Sequence, residues 1–420
     1  MIIERNIKPR ILEALLDSPV VLLNGARQTG KSTLAKQLIS EGSLAQYYTL
    51  DDASVQAAVQ ADPSGFIGGV DRSVVIDEVQ RAPELFQAIK AAVDRDRRPG
   101  RFLLTGSADV LLLPRVSQAL VGRVDLLTLW PFSQGEIEGR REGFINSIFS
   151  KKIPAFSNKI DRADLFRRII LGGHPEVIGR KTDERRRAWF DSYVTTILQR
   201  DVRDLANIQG LSILPRLLAI LAARATATIN SAEISRSAGI RQTTLKRYLT
   251  LLEATFLIRY LQPWFTNIGK RLVKSPKLLV ADTGLMCYEL GINDARLSLE
   301  PTLVGPLLEN FVAMELVKQA AWSQIRPQLY HFRTQQGEEV DLILEDASGA
   351  IVGIEVKASA TLDGGDFKGL KLLAENLGPR FKRGVVLYTG DQTIPFAANL
   401  HALPISSMWN LTDRATNTKD

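Results

Sequence analysis

The sequence predicts an α/β protein in which a parallel sheet carrying a phosphate-binding loop precedes a helical lid with a winged-helix-like segment and a second, C-terminal α/β domain. Three observations carry that prediction. Gly25-Ala26-Arg27-Gln28-Thr29-Gly30-Lys31-Ser32 fits G-x-x-x-x-G-K-[ST] without mismatch. Apolar runs at Val20-Val21-Leu22-Leu23, Val74-Val75-Ile76 and Phe102-Leu103-Leu104 alternate with helical patterns, as buried parallel strands require. The final third instead reads as an amphipathic helix, Leu307 to Val317, followed by strand patterns at 339–344 and 351–357.

Composition bounds the chain. With 420 residues, 45% of them hydrophobic, it exceeds one ordinary domain and can bury more than one core. The divisions expected are 1–160 for the phosphate-loop core, 161–265 for the lid and winged-helix-like segment, and 266–420 for the C-terminal domain. A single cysteine, Cys287, excludes an intramolecular disulfide and a multi-cysteine zinc site, and three histidines leave little for a histidine metal centre. The start lacks the build of a secretory signal and no apolar stretch reaches the length of a membrane span, so a cytoplasmic protein without a membrane partner is expected. The net charge of +7 suits a polyanionic partner without identifying one.

Before the loop, Ile7, Ile11, Leu12, Leu15 and Leu16 form a helical stripe fit to pack beside it. Val20 to Leu23 supplies the strand and Thr33 to Ile39 the helix, so strand, loop and helix come in the required order. Gly25, Ala26, Arg27, Gln28, Thr29, Gly30, Lys31, Ser32 and Thr33 are the expected ATP-binding residues. The glycines let backbone N–H groups turn onto phosphates, Lys31 would neutralise their oxygens, and Ser32 would ligate Mg²⁺. Downstream, a strand through Val74-Val75-Ile76 ends in Asp77-Glu78. Asp77 suits the Mg²⁺ hydration shell and Glu78 the polarisation of an attacking water.

The next strand, 101–107, ends in Thr105-Gly106-Ser107 and should lie beside its predecessor. Either hydroxyl could orient water near a γ-phosphate or cap the following helix. Arg123 stands out further on, as a forked, permanently charged group suited to a transferring phosphoryl group, often from a neighbouring subunit; a surface salt bridge is the alternative.

Together Gly25 to Ser32, Val75-Ile76-Asp77-Glu78-Val79-Gln80, Leu104 to Ser107 and Leu120-Val121-Gly122-Arg123-Val124 resemble the prokaryotic AAA-type ATPases that carry a C-terminal domain of unknown function, DUF4143. The resemblance extends through Gly172-Gly173-His174-Pro175-Glu176, Lys274-Ser275-Pro276-Lys277-Leu278, Ala281-Asp282-Thr283-Gly284-Leu285 and Leu307-Leu308-Glu309-Asn310-Phe311. It includes Glu338-Glu339-Val340-Asp341 and Ile354-Glu355-Val356-Lys357, and so covers nearly the whole chain. It implies ATP binding, slow hydrolysis and a ring-like homo-oligomer. His174 departs from it, standing where an aromatic residue is expected.

Residues 144–158 lack clear periodicity and read as a loop and domain boundary. Basic clusters at Arg167-Arg168, Arg180-Lys181 and Arg185-Arg186-Arg187 then introduce a helical lid, whose arginines would touch nucleotide or DNA or simply face solvent. Ser231 to Ile240 and Arg241 to Ala254 have helix-turn-helix order, with Phe256 to Leu261 as the strand of a wing. Arg241, Gln242, Lys246 and Arg247 could meet a DNA groove, or the fold could serve packing alone.

In the C-terminal third, Asp341 and the Glu355-x-Lys357 pair can converge on adjacent strands, joined through a turn at Asp346-Ala347-Ser348. This resembles the PD-(D/E)xK core of a restriction-endonuclease-like domain, with Glu309 as the helix acid. Glu309, Asp341, Glu355 and Lys357 thus form an expected second metal site, serving either a DNA nuclease or a descendant that binds DNA or protein partners without cutting.

Overall fold

The structure, a computed structural model, describes residues 2–107, 122–158, 160–202, 211–265, 275–334 and 336–412. In the first part, α1 (Lys8–Asp17) leads to β1 (Val20–Asn24), whose residues are all buried, and the phosphate loop then runs into α2 (Lys31–Ser40). β2 (Gln46–Thr49), β3 (Val74–Asp77), α3 (Leu85–Arg95), β4 (Phe102–Gly106) and β5 (Val124–Thr128) follow. The strands form one sheet in the order β2-β3-β4-β1-β5, and every pairing in it is parallel. Side-chain alternation splits the core in two. Val21, Leu23, Val75 and Leu103 pack with α1 and α2, while Val20, Leu22, Val74, Ile76 and Leu104 pack with α3. β3 and β4 are neighbours as expected, paired Val74 with Phe102 and Ile76 with Leu104. The sheet therefore brings the ends of β1, β3 and β4 to one edge.

The segment read as a loop from 144 to 158 contains a helix, α4 (Phe144–Phe149). Phe144, Ile145, Ile148 and Phe149 are buried on one side of it, a one-and-a-half-turn stripe too short to register as periodicity. The segment expected as a lid follows as α5 (Arg162–Leu171), α6 (Asp183–Thr196) and a π-helical turn over Ile197–Asp201. Next come α7 (Leu214–Ala222), α8 (Ser231–Ala238) and α9 (Gln242–Ala254). Gly239 ends α8 in the left-handed region, the conformation that its missing Cβ permits.

A second sheet is built from β6 (Ile258–Pro263), β7 (Lys277–Val280), β8 (Gln328–Arg333), β9 (Glu339–Glu345), β10 (Ile351–Lys357), β11 (Phe381–Tyr388), β12 (Ile394–Ala397) and β13 (Leu400–Pro404). Its order is β12-β13-β11-β10-β9-β8-β6-β7. β9 and β10 form the expected antiparallel hairpin, with the Asp346 carboxylate accepting from the N–H groups of Ser348 and Ala350 in the turn. α10 (Val304–Ala320) contributes Leu307, Leu308 and Val312 to one face of the sheet, while α11 (Lys368–Leu377) covers the other with Leu370 and Leu373.

The division drawn at residue 265 does not match this pairing. β6 pairs antiparallel with β7 and parallel with β8, so the boundary falls between two strands of one sheet. A single apolar core also runs from α7 and α9 into the second sheet, joining Leu221 and Leu252 to Leu342, Ile354 and Trp409. Burial on that scale makes the two regions one packed unit. Among the described residues, no helix is long and apolar enough to cross a membrane.

Candidate functional site

The phosphate loop leaves β1 at the sheet edge where β3 and β4 also end. Gly25 has φ +143°, and a Cβ there would lie 2.2 Å from the Leu129 carbonyl oxygen, so the position demands glycine. Gly30, at φ +95°, turns the chain into the first turn of α2. Lys31 folds back inside the loop, its Nζ donating to the carbonyls of Gly25 at 2.8 Å and Ala26 at 2.7 Å. Burial pulls the ammonium down to about 8, opposed by the attraction of Glu78 and Asp77. A buried cation whose hydrogen bonds, among the described residues, run to neutral carbonyls favours an anion in the loop. Thr29 also donates to the Ala26 carbonyl, at 3.0 Å.

The two acids of the β3 end occupy different settings. Asp77 is buried and accepts from the Tyr47 hydroxyl at 2.6 Å and from the Thr105 hydroxyl. Glu78 adopts φ 61°, ψ 42°, a left-handed conformation that a non-glycine residue holds only at a cost of about 1 kcal/mol or more. Its carboxylate accepts from Gln80, and from Ser107 at 3.2 Å, while its backbone N–H donates to Thr105 at 3.2 Å. Thr105 and Ser107 are thus both committed to the carboxylates, one under Asp77 and one beside Glu78.

Between the loop and the helical segment after it lies a cleft of about 440 Å³, lined by Gln28, Gly30 and Thr33 on one side and Pro175, Trp189 and Tyr193 on the other. Arg180 also lines it, held by the Glu176 carboxylate at 3.0 Å. His174, buried among the rings of Trp189, Phe190 and Tyr193, fills an aromatic position, and burial lowers its pKa, favouring the neutral ring. Arg27 reaches from the loop to Asp201 on the π-helical turn, Nε to Oδ2 at 2.5 Å. Neither Asp201 nor Tyr47 was singled out by the sequence, because each partner lies far away along the chain.

Arg5 was missed as well. Its guanidinium, 7% exposed, donates to the Thr29 carbonyl of the phosphate loop at 2.9 Å, the Trp130 carbonyl at 2.6 Å and the Glu136 carboxylate at 3.1 Å. Ser133 bridges Glu136 to Glu142 through a capping box and a 3.0 Å bond. Burial, with Glu315 and Glu136 nearby, pushes Glu142 up to about 8. Glu315 accepts from the Gln134 N–H at 2.9 Å, and Lys318 donates to Glu315 and to the Phe132 carbonyl. A buried polar chain therefore links the phosphate loop to α10.

Arg123 stands apart from the other expected catalytic residues. It immediately precedes Val124, which pairs with Val20 at the start of β1, whereas the phosphate loop follows the end of that strand. Its Nε donates to Asp94 at 2.6 Å. Within one chain it does not reach the loop. Leu120 and Val121, quoted with it, lie outside the described residues, as does Lys274.

In the second sheet, Glu309, Asp341, Glu355 and Lys357 do converge, around a cleft of about 450 Å³. Among the described residues no group of three histidine, cysteine, aspartate or glutamate side chains is set to hold a metal ion. The space between the acids is taken by Lys277 of β7, whose Nζ lies 2.7 Å from Glu309 and 3.7 Å from Asp341. Burial disfavours its charge, yet Glu309 and Asp341 outweigh that and raise its pKa. Burial and the neighbouring Asp341 push Glu355 up to about 9 and Glu309 to about 7. Asp341 accepts from the Val356 N–H at 2.9 Å, and Lys357 stands 3.7 Å from Glu355.

Comparison with known proteins agrees with this layout. Residues 17–138 match the model of an AAA domain, residues 304–408 a domain of unknown function, DUF4143, and residues 162–296 another, DUF8612. Uncharacterized proteins Rv2008c of Mycobacterium tuberculosis and Mb2031c of Mycobacterium bovis are each 36% identical over 408 residues, covering 96% of this chain and 84% of theirs. Among solved structures, the RuvB Holliday junction branch migration motor of Thermotoga maritima overlaps at 18% identity and a TM-score of 0.30, over 61% of this chain and 89% of that one. That overlap is too shallow to bear on function. The chain belongs to the family of the two mycobacterial proteins, and residues 17–138 are its AAA domain.

Proposed function

We propose that the protein is a Mg²⁺-dependent ATPase that works on DNA as a homo-oligomer. The observation that carries the ATPase reading is the buried Lys31 ammonium, held by the loop carbonyls of Gly25 and Ala26 and facing Asp77 and Glu78 across the sheet edge. The loop residues Gly25 to Thr33 would hold the phosphates, and the cleft against Pro175, Trp189 and Tyr193 would take the base. Ser32 and Asp77 would hold Mg²⁺, which when bound neutralises charge on the phosphate oxygens. Glu78 polarises the attacking water, and Gln80 and Ser107 fix its carboxylate. Lys31→Ala should abolish ATP binding, whereas Glu78→Gln should bind ATP and hydrolyse it about 10²- to 10⁴-fold more slowly. Wild-type turnover in Glu78→Gln would remove the base from this scheme.

The DNA reading rests on α7, α8 and α9 followed by the β6–β7 pair, with Thr228 bridging to Lys277 of β7. A helix, a bridging residue, two further helices and a two-stranded ribbon follow in that order, which we read as a winged-helix arrangement. Arg241, Gln242, Lys246 and Arg247 are exposed along α9 and at its N-cap. Charge reversal at Arg241 and Lys246 should weaken binding of duplex DNA and flatten its salt dependence; an unchanged salt slope would reduce the arrangement to packing.

We read the C-terminal cleft as a nuclease-like metal site, with Glu309, Asp341, Glu355 and Lys357 as its residues. A second reading, a domain that binds without cutting, is favoured by Lys277, because its ammonium already neutralises the acids. Divalent-ion-dependent nicking, lost in Asp341→Ala while ATP turnover persists, separates the two.

A further inference from the structure

A buried lysine among carboxylates needs a reason to be there. Lys277 is 4% exposed, and its ammonium sits within ion-pair distance of acids from two different elements, Glu309 of α10 and Asp341 of β9. Asp341 stands in turn beside Glu355 of β10. The lysine thus holds the place among these oxygens where a cation is most strongly attracted. Removing an ammonium from such a cluster without replacement leaves like charges facing one another in a poorly solvated space.

The strand that delivers Lys277 belongs at its other side to the winged-helix arrangement. Thr226 N donates to the Leu278 carbonyl at 2.7 Å, Leu278 N to the Ala227 carbonyl at 3.1 Å, and Ile229 N to the Pro276 carbonyl at 2.9 Å. Thr226 itself is held at φ 66°, a conformation that a β-branched residue adopts only under constraint. The segment that leads into α8 is therefore stitched to the strand that carries the lysine. Any load that draws α8 away from β7 also draws on Lys277.

We propose that Lys277 is the resident cation of the C-terminal cleft: it excludes a divalent ion from Glu309, Asp341 and Glu355 while β7 stays in place, and withdrawing it opens the site. The proposal rests on reading the cleft as a metal site, and it names the residue that sets metal access there. The lysine acts as a positioning residue through its charge.

The test uses the full chain without nucleotide, so that the phosphate loop brings no metal, and counts bound Mn²⁺ by electron paramagnetic resonance. Lys277→Met should gain one Mn²⁺ site on the order of tenfold or more tighter than any in the wild type, and Asp341→Asn in that background should remove it. Lys277→Arg, which keeps the charge, should behave as the wild type. Far-ultraviolet circular dichroism confirms folding; if Lys277→Met does not fold, Lys277→Gln, whose amide can still donate to Glu309, takes its place. Should the wild type bind Mn²⁺ through Asp341 as tightly as Lys277→Met, the lysine excludes nothing and the proposal falls, while the metal-site reading survives. Tight binding by Lys277→Arg overturns it too, because the effect would then be packing. If neither the wild type nor Lys277→Met binds Mn²⁺ through Asp341, the metal-site reading falls and takes the proposal with it.

Discussion

Arg5, near the start of the chain, donates a 2.9 Å hydrogen bond to the carbonyl of Thr29 in the phosphate loop. The same guanidinium holds Trp130 and Glu136 and lies 4.4 Å from the centre of the Phe132 ring. It thereby fixes the outer wall of the loop to the segment that follows β5. Burial lowers its pKa, and Glu136 and Glu142 offset that only in part. Arg5→Met should lower the unfolding free energy by about 3 kcal/mol, because Glu136 would be left buried without its partner. ATP affinity should fall as well, since the Thr29 carbonyl loses its anchor. Denaturant unfolding and a nucleotide titration check the two effects, and Arg5→Lys should rescue neither fully, lacking the fork that reaches three acceptors at once.

The Glu78 carboxylate is aimed by its neighbours. Gln80 donates to it and to Ser107 at 2.8 Å, and Ser107 donates to it at 3.2 Å. Gln80→Ala should leave ATP affinity near normal and reduce turnover on the order of 10- to 100-fold, since a misplaced base costs rate without costing binding. Steady-state kinetics separate the two quantities. A rise in KM with unchanged kcat would mean that Gln80 serves binding instead.

Glu142 ties stability to pH. Burial, together with Glu315 and Glu136, raises its carboxyl from 4.5 to about 8, so the folded chain holds a proton that the unfolded chain has released. Its contribution is fully present below pH 4.5 and is lost as pH rises toward 8. The slope reaches at most about 1.4 kcal/mol per pH unit from this group. His174 and His331, whose pKa values burial lowers, act with the opposite sign at lower pH. The measurement is therefore the difference between wild type and Glu142→Gln, followed by denaturant unfolding from pH 5 to 9. The wild type should lose stability relative to the variant across that window. Parallel curves would show that Glu142 does not change protonation on unfolding.

The phosphate loop and the β3 acids were legible because their signal is local. Residues 25–32 carry the spacing itself, and apolar strands flanked by helices admit few arrangements. The β9–β10 hairpin was equally legible, since alternation and an Asp-containing turn both point to it. What stayed hidden depends on contacts across the chain. Arg5, Tyr47 and Asp201 are ordinary polar residues until the fold brings them to the loop. Lys277 was quoted only as part of a motif, yet it decides the state of the C-terminal cleft, because no spacing rule relates position 277 to positions 309 and 341. The strand pairing across position 265 was hidden for a related reason: Gln262 of β6 pairs with Tyr330 of β8, far along the chain, and local composition says nothing about such a partner.

Arg123 offers the test of assembly. Val124 is level with Val20, and the loop begins after Asn24, so Arg123 lies roughly 13 Å or more along the strand direction from the phosphates of its own chain. A role in hydrolysis must then be played on a neighbouring subunit, with the Arg123 to Asp94 pair released. That pair lies at the surface, where water screens it, so releasing it costs little. Arg123→Ala alone should keep the wild-type melting temperature and lose turnover by about 10³-fold. Lys31→Ala alone should be inactive for want of nucleotide. Mixed in equal amounts with free subunit exchange, the two should recover roughly a quarter of wild-type activity per subunit, the share of interfaces that join an intact loop to an intact arginine. Wild-type turnover in Arg123→Ala would reduce the residue to its surface pair. No recovery on mixing, with exchange shown by labelled subunits, would end the claim that it acts across an interface.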